Sequence, residues 1–327
     1  MRRPALRRAP AALAALALIA TACATGGDDP VDEPTDAAAP DEPLAILIAS
    51  YDIAVGEDRR LLAGILTGDA VQLAFGEATF ELGYLGDEAA GEAELVDDVT
   101  ARYLPVLGLE PEIEPTERAT VLVGEPGTGV YEAAVDLPEP GWYGLRVSID
   151  LDDGTTRQGQ ATFEVLPETE VHDVGDEAPR SENLTIADVE AGEVPPVAVD
   201  SRAQGEDDEV PDALLHDSTI AASLDEGMPV VVILSTPTYC VSTFCGPLTS
   251  ELATVAERYE DVADFVHIEV WRDFEATELN EAAAEWIQTE AGGNEPWVFL
   301  VDGDGIIQAR WDNVLDVDDL ESRLAAL

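Results

Sequence analysis

From Leu44 to Leu166 the apolar residues recur in short runs of period two, and turn residues end every run. LAILIASYDIAV, RLLAGILTG, ATFELGYLG, ATVLV, GVYEAAVDL, WYGLRVSIDL and GQATFEVL follow one another with Gly, Pro or Asp between them. That alternation points one side chain inward and the next outward along an extended strand. Asp152-Asp153-Gly154, between two of the runs, reads as a hairpin turn. About seven such strands, each able to bury a single face, predict an antiparallel β-sandwich over residues 44–167. Trp142 and Tyr143 fall where a sandwich packs its core.

The stretch GVYEAAVDLPEPGWYGLRV, followed by GQATFEV, resembles the immunoglobulin-like domains of bacterial envelope proteins. Residues 168–205 read as a connecting segment, acidic and interrupted by Pro.

Beyond it the pattern changes. MPVVVIL (228–234) is a continuous apolar run, as a strand buried on both faces requires. Gly246 to Glu260 carries Leu248, Leu252, Val255, Ala256 and Tyr259 at helical spacing. DFVHIEV is a second buried strand, Leu279 to Gln288 a helix, WVFLVD a third strand and IIQARWD a fourth. Val317 to Leu327 is a closing helix. This β-α-β-α-β-β-α order resembles the thioredoxin fold. Val174-Gly175-Asp176-Glu177-Ala178-Pro179 resembles the opening segment of the redoxin branch of that superfamily. The expected fold is therefore two independently folding domains. An all-β immunoglobulin-like sandwich precedes an α/β thioredoxin fold over residues 206–327, which reaches back to Val174.

The chemistry concentrates in STPTYCVSTFCGPLTSEL, which holds Cys240 and Cys245. Pro247 suits a first helical turn, where its missing N–H is not needed. Cys245 then lies at a helix N-terminus, where the aligned backbone dipoles favour its thiolate. Closing so short a loop with a disulfide removes only about 2 kcal/mol of unfolded-chain entropy, little for a structural staple. Phe244-Cys245-Gly246-Pro247 resembles the thioredoxin site, with Cys245 as the attacking cysteine. Leu248 stands where that family keeps its resolving cysteine, so Cys240 must resolve. Glu295-Pro296 matches the family's proline facing the thiols. Its buried acid before the site is missing, because Val230 to Leu234 are all apolar.

Two other resemblances bear on the same pair. Thr236-Pro237-Thr238-Tyr239-Cys240, with four residues before Cys245, resembles a peroxiredoxin site out of register by one residue. It would make Cys240 peroxidatic and Cys245 resolving, with Arg272 or Arg310 as substitute cations. Copper chaperones of this superfamily pair two cysteines with a distal His, for which His267 is the candidate, although an apolar strand surrounds it. A non-enzymatic envelope protein with a structural disulfide is the remaining alternative.

The start of the chain sets the compartment. Arg2, Arg3, Arg7 and Arg8 precede a short apolar run, Ala11 to Ala20, as in a secretory signal. Ala20-Thr21-Ala22-Cys23 resembles a bacterial lipobox, which implies cleavage after residue 22 and lipidation of Cys23. Residues 23–43, rich in Asp, Glu, Pro and Ala, read as a disordered acidic tether. The expected location is the outer face of the cell membrane, lipid-anchored, where a disulfide persists. The expected partners are protein thiols or disulfides of the cell envelope.

Charge excludes other classes. Acidic residues number 69 against 16 basic ones, all Arg, for a net charge of −53, which repels phosphate backbones and excludes nucleic acid. With no Lys there is no Schiff-base chemistry. No His/Cys/Asp cluster has zinc-ligand spacing and no phosphate-binding glycine loop occurs, so neither metal nor cofactor is expected.

Overall fold

The structure, a computed structural model, describes residues 43–91, 93–240, 242, 244–289 and 292–327. The signal segment, Cys23 and the acidic tether up to residue 42 lie outside the described residues.

Among the described residues, nine strands build the first part: β1 (Ala45–Ile48), β2 (Gly56–Leu66), β3 (Leu73–Ala74), β4 (Glu77–Gly86), β5 (Glu94–Pro105), β6 (Thr120–Val121), β7 (Gly129–Leu137), β8 (Gly141–Asp150) and β9 (Thr156–Val165). The period-two pattern works as expected within each strand. In β8, Tyr143, Leu145, Val147 and Ile149 are buried, while Arg146 faces solvent. Leu61, Phe80, Leu82, Tyr131 and Phe163 join them in one core.

Seven of the strands form a single antiparallel sheet in the order β1-β2-β7-β5-β4-β8-β9. The sheet curls until its two ends meet. Leu44 bridges Gly159, and its N–H donates to the Gln158 carbonyl at 2.9 Å. Gly159 permits this approach, because a Cβ there would lie 2.5 Å from the Leu44 carbonyl oxygen.

The second part contains α1 (Ile186–Glu190), α2 (Ile220–Asp225), β10 (Val230–Ser235), α3 (Cys245–Tyr259), β11 (Asp264–Glu269), β12 (Trp271–Asp273), β13 (Glu278–Leu279), α4 (Glu281–Ile287), β14 (Trp297–Val301), β15 (Ile307–Asp312) and α5 (Val317–Leu324). Four strands pair in the order β11-β10-β14-β15, with β10 and β11 parallel and the other pairs antiparallel. Every residue of β10 is buried. Its alternate residues feed two cores. Val230, Val232 and Leu234 pack with Ile220 and Trp286. Val231 and Ile233 pack with Leu252, Val255 and Leu320.

The expected fold class is corrected. Among the described residues strands take 38% and helices 17%, and a nearly closed seven-stranded sheet dominates, so neither an immunoglobulin-like sandwich nor a separate α/β thioredoxin domain describes the molecule. A sandwich buries the facing surfaces of two sheets, whereas here one curled sheet encloses its own core. All the described residues belong to one compact unit. Ion pairs of sequence-remote partners hold the curled sheet to β15 and its flanks. Arg60 reaches Asp312 at 2.9 Å, Arg310 reaches Asp52 at 2.9 Å, and Arg102 bonds Asp316. Among the described residues no helix is long and apolar enough to cross a membrane.

Candidate functional site: a buried disulfide with a protonatable carboxyl

β10 ends at Ser235, a loop follows, and α3 begins at Cys245 itself. Cys240 and Cys245 are joined in a disulfide with Cα atoms 6.1 Å apart. Pro247 lies in the first turn of α3, as its ring requires. Gly246 lets the loop fold against the helix start, since a Cβ there would sit 3.0 Å from the Pro237 carbonyl oxygen. The Cys240 N–H donates to the Thr236 carbonyl at 3.1 Å, which curls the loop and returns the first sulfur towards the second.

The two cysteines differ in access. Cys245 is fully buried and Cys240 is half-buried. An aromatic rim lies beside Cys240 in sequence and rises from the β12–β13 hairpin. Tyr239 stacks on Phe274 with ring centres 4.2 Å apart, and Trp271 meets Phe274 edge-on.

The Glu295–Pro296 peptide is cis. The Glu295 side chain turns to the disulfide, with Oε2 3.8 Å from the Cys245 sulfur. Burial raises its carboxyl to about 7, against the opposing pull of Thr236. A second carboxyl, Glu269, is also raised to about 7 by burial, opposed by Ser201 and Thr236. It accepts the Ser201 N–H at 2.8 Å. The Thr236 hydroxyl faces both carboxyls without reaching hydrogen-bond geometry to either.

Beneath the disulfide runs a buried polar chain. Thr249 Oγ1 donates to the Cys245 carbonyl at 2.8 Å and lies 2.7 Å from Ser235 Oγ. Ser235 Oγ is 3.0 Å from His267 Nε2, and His267 Nδ1 is 2.9 Å from His216 Nε2. Asp200 closes the chain, with Oδ2 3.5 Å from His216 Nε2. Burial lowers His267 to about 3 and also lowers His216. Burial pushes the Asp200 carboxyl up, but Arg202 and His267 outweigh it and hold it low.

Of the residues singled out in the sequence, Cys240 and Cys245 come together, and Pro296 follows Glu295, whose side chain reaches Cys245. Cys23 lies outside the described residues. Arg310 is engaged by Asp52 and Asp173 and stacks over Trp297. Arg272 lies 3.8 Å from Glu278. His267 Nε2 faces Ser235 and Nδ1 faces His216, so neither nitrogen is offered to the cysteines. Tyr143 is a core residue of the curled sheet. A cleft of about 960 Å³ is lined by Arg59, Arg60, Arg102 and Arg310, but no cysteine lines it and these cations are spent in ion pairs.

Sequence reasoning missed the Glu295 carboxyl, Glu269, Asp200 and His216. Glu295 carried a signal, being an acid directly before the proline expected to face the thiols. The others carried none, because they converge from distant parts of the chain. Compared with protein-family models and with curated proteins, the chain matches none, so the reading of the site rests on its geometry.

Proposed function

We propose that the chain is an extracytoplasmic thiol–disulfide oxidoreductase that works through Cys240 and Cys245 and is tethered to the membrane by a lipid on Cys23. One observation carries the reading: a half-buried carboxyl, Glu295, stands 3.8 Å from the sulfur of the less accessible cysteine. A structural staple needs no proton source at its side.

The chemistry follows from access and charge. A substrate thiolate attacks Cys240 Sγ, the half-buried sulfur. The Cys240–Cys245 bond breaks and Cys245 leaves as a thiolate at the start of α3, where backbone N–H groups favour the negative charge. The Glu295 carboxyl, raised to about 7 by burial, gives its proton to that thiolate. A mixed disulfide between substrate and Cys240 results. A second substrate thiolate attacks the substrate sulfur, forming the substrate disulfide and releasing Cys240 as a thiolate. Two electrons have then passed from the substrate dithiol to the protein, and the reverse sequence reduces a substrate disulfide. The helix dipole alone argues for Cys245 as the attacking thiol. Burial argues for Cys240, and an unreachable sulfur cannot attack an external disulfide.

The reading is tested by the reduction potential of the pair and by exchange with a model dithiol. A potential above about −300 mV and exchange faster than that of a free disulfide support it. A lower potential with no exchange overturns it in favour of a structural bond. Sulfenic acid on Cys240 with peroxide, without dithiol exchange, overturns it in favour of a thiol peroxidase.

A further inference from the structure

The buried chain beneath the disulfide has fixed hydrogen directions. His216 Nδ1 lies 3.1 Å from the Asp212 carbonyl, which only accepts, so the ring proton is on Nδ1 and Nε2 is bare. Thr249 spends its single hydrogen on the Cys245 carbonyl. The Ser235 hydroxyl, 2.7 Å from Thr249 Oγ1, must therefore donate to it. Ser235 Oγ is left as an acceptor for His267 Nε2, and the Ser235 carbonyl, 3.1 Å from the same nitrogen, accepts as well. The His267 ring proton is thus on Nε2, and Nδ1 is bare.

Two bare imidazole nitrogens then face each other at 2.9 Å in a site where Asp200, His216 and His267 are all at most 1% exposed. Asp200 Oδ2 converges on the same place, 3.5 Å from His216 Nε2 and 3.8 Å from His267 Nδ1. Asp200 Oδ2 accepts hydrogens from Arg202, but the two imidazole nitrogens have none between them, and two bare, buried lone pairs at this distance need a positive centre. A single shared proton serves only the two nitrogens. A point equidistant from all three atoms lies about 2.0 Å from each, which is the zinc–nitrogen and zinc–oxygen bond length.

We propose that Asp200, His216 and His267 form a buried site for a divalent transition-metal cation of the zinc type. Each imidazole gives its outer N–H to a backbone carbonyl, the arrangement that orients histidine ligands to metals. Arg202 grips Asp200, with Nη2 2.6 Å from Oδ2, and fixes the carboxylate. Two neutral imidazoles and one shared carboxylate suit zinc or copper over calcium or magnesium, which demand more oxygen. The cation sits between the segment after Pro196–Ala198 and strand β11, and reaches the first turn of α3 through Ser235 and Thr249. Because all three ligands are sealed from solvent, it enters as the chain folds. The site is independent of the oxidoreductase reading and uses neither cysteine.

The test uses the full-length chain. Protein refolded with Zn²⁺ or Co²⁺ and washed with chelator should retain about one equivalent, and the Co²⁺ form should show visible absorption of a low-coordinate nitrogen–oxygen site. X-ray absorption should place two imidazoles in the first shell. A Cys240→Ser, Cys245→Ser double variant should keep the metal, while His216→Gln should lose it or shift the Co²⁺ spectrum. Wild type that folds yet retains less than a tenth of an equivalent overturns the proposal. So does loss of metal in the cysteine double variant, and so does a nitrogen NMR signature of one proton shared between two metal-free rings.

Discussion

The hydroxyl of Tyr51 lies 2.9 Å from the carbonyl oxygen of Glu295, so the loop between the first two strands of the curled sheet holds the backbone of the residue whose side chain reaches the disulfide. The same hydroxyl is 2.9 Å from Asn313 Oδ1, and the Tyr51 N–H donates to Asp312 at 2.6 Å. Burial, with Asp312 and Glu295 adding to it, holds the phenol far above its ordinary range, so it stays a hydrogen-bond donor. The curled sheet is thereby part of the site's support and not a detached spacer.

Tyr51→Phe should lower stability by about 1 kcal/mol, the net worth of a hydrogen bond, and slow dithiol exchange several-fold by loosening Glu295. Urea unfolding and stopped-flow exchange measure both. Unchanged exchange in a destabilised variant would leave Tyr51 a purely structural residue.

Glu269 and Glu295 predict a pH dependence of stability. Both are raised from 4.5 to about 7 by burial. The folded chain therefore keeps protons that the unfolded chain releases above pH 4.5. Their contribution is fully present below that pH and is lost as pH rises through about 7, by up to about 3 kcal/mol for each group. Glu269→Gln and Glu295→Gln together should flatten the slope, leaving stability near wild type at pH 4.5 and above it at pH 8. Denaturant melts at three pH values decide the matter; parallel curves would show that neither group carries the proton.

In the reduced protein Cys240 should alkylate faster than Cys245, because Cys245 is 0% exposed. Cys245→Ser should then trap a mixed disulfide on Cys240. Mass spectrometry of the adducts identifies the site, and an adduct confined to Cys245 would return the attacking role to the helix N-terminus.

Membrane attachment is expected to depend on Cys23. Cys23→Ser should move the protein from the membrane fraction to the soluble one, as seen by fractionation and immunoblotting. A wild-type protein already soluble contradicts the lipid anchor.

The sequence was most legible where burial is one-dimensional. MPVVVIL marked β10 because a strand covered on both faces carries no polar position, and the spacing of Leu248, Leu252 and Val255 marked α3. Cys245 was legible because it opens the helix that the pattern had located, and Pro296 because it directly precedes β14. Sheet closure was not. Period two in β8 tells that Tyr143 and Leu145 turn inward, and is silent on whether the opposite wall is a second sheet or the same sheet returned on itself. That depends on pairing between Leu44 and Gly159, 115 positions apart by number. Asp200, His216 and His267 were illegible for a similar reason: no local spacing joins a loop, a turn and a strand. The β12–β13 hairpin was missed because two- and three-residue strands show no period.

The meeting of Leu44 with Gly159 also bears on how the protein tolerates crowding. An open sheet offers a row of unpaired backbone groups that a neighbouring copy can zip onto, and proteins concentrated on a surface meet such neighbours constantly. The bridge from Leu44 to Gly159 brings the two end strands together and covers part of that row. Gly159→Val would press a branched side chain against the Leu44 carbonyl and Ile46 and prise the seam apart. The variant would then acquire a sticky edge and self-associate more than wild type, which light scattering at rising concentration would register before any loss of secondary structure.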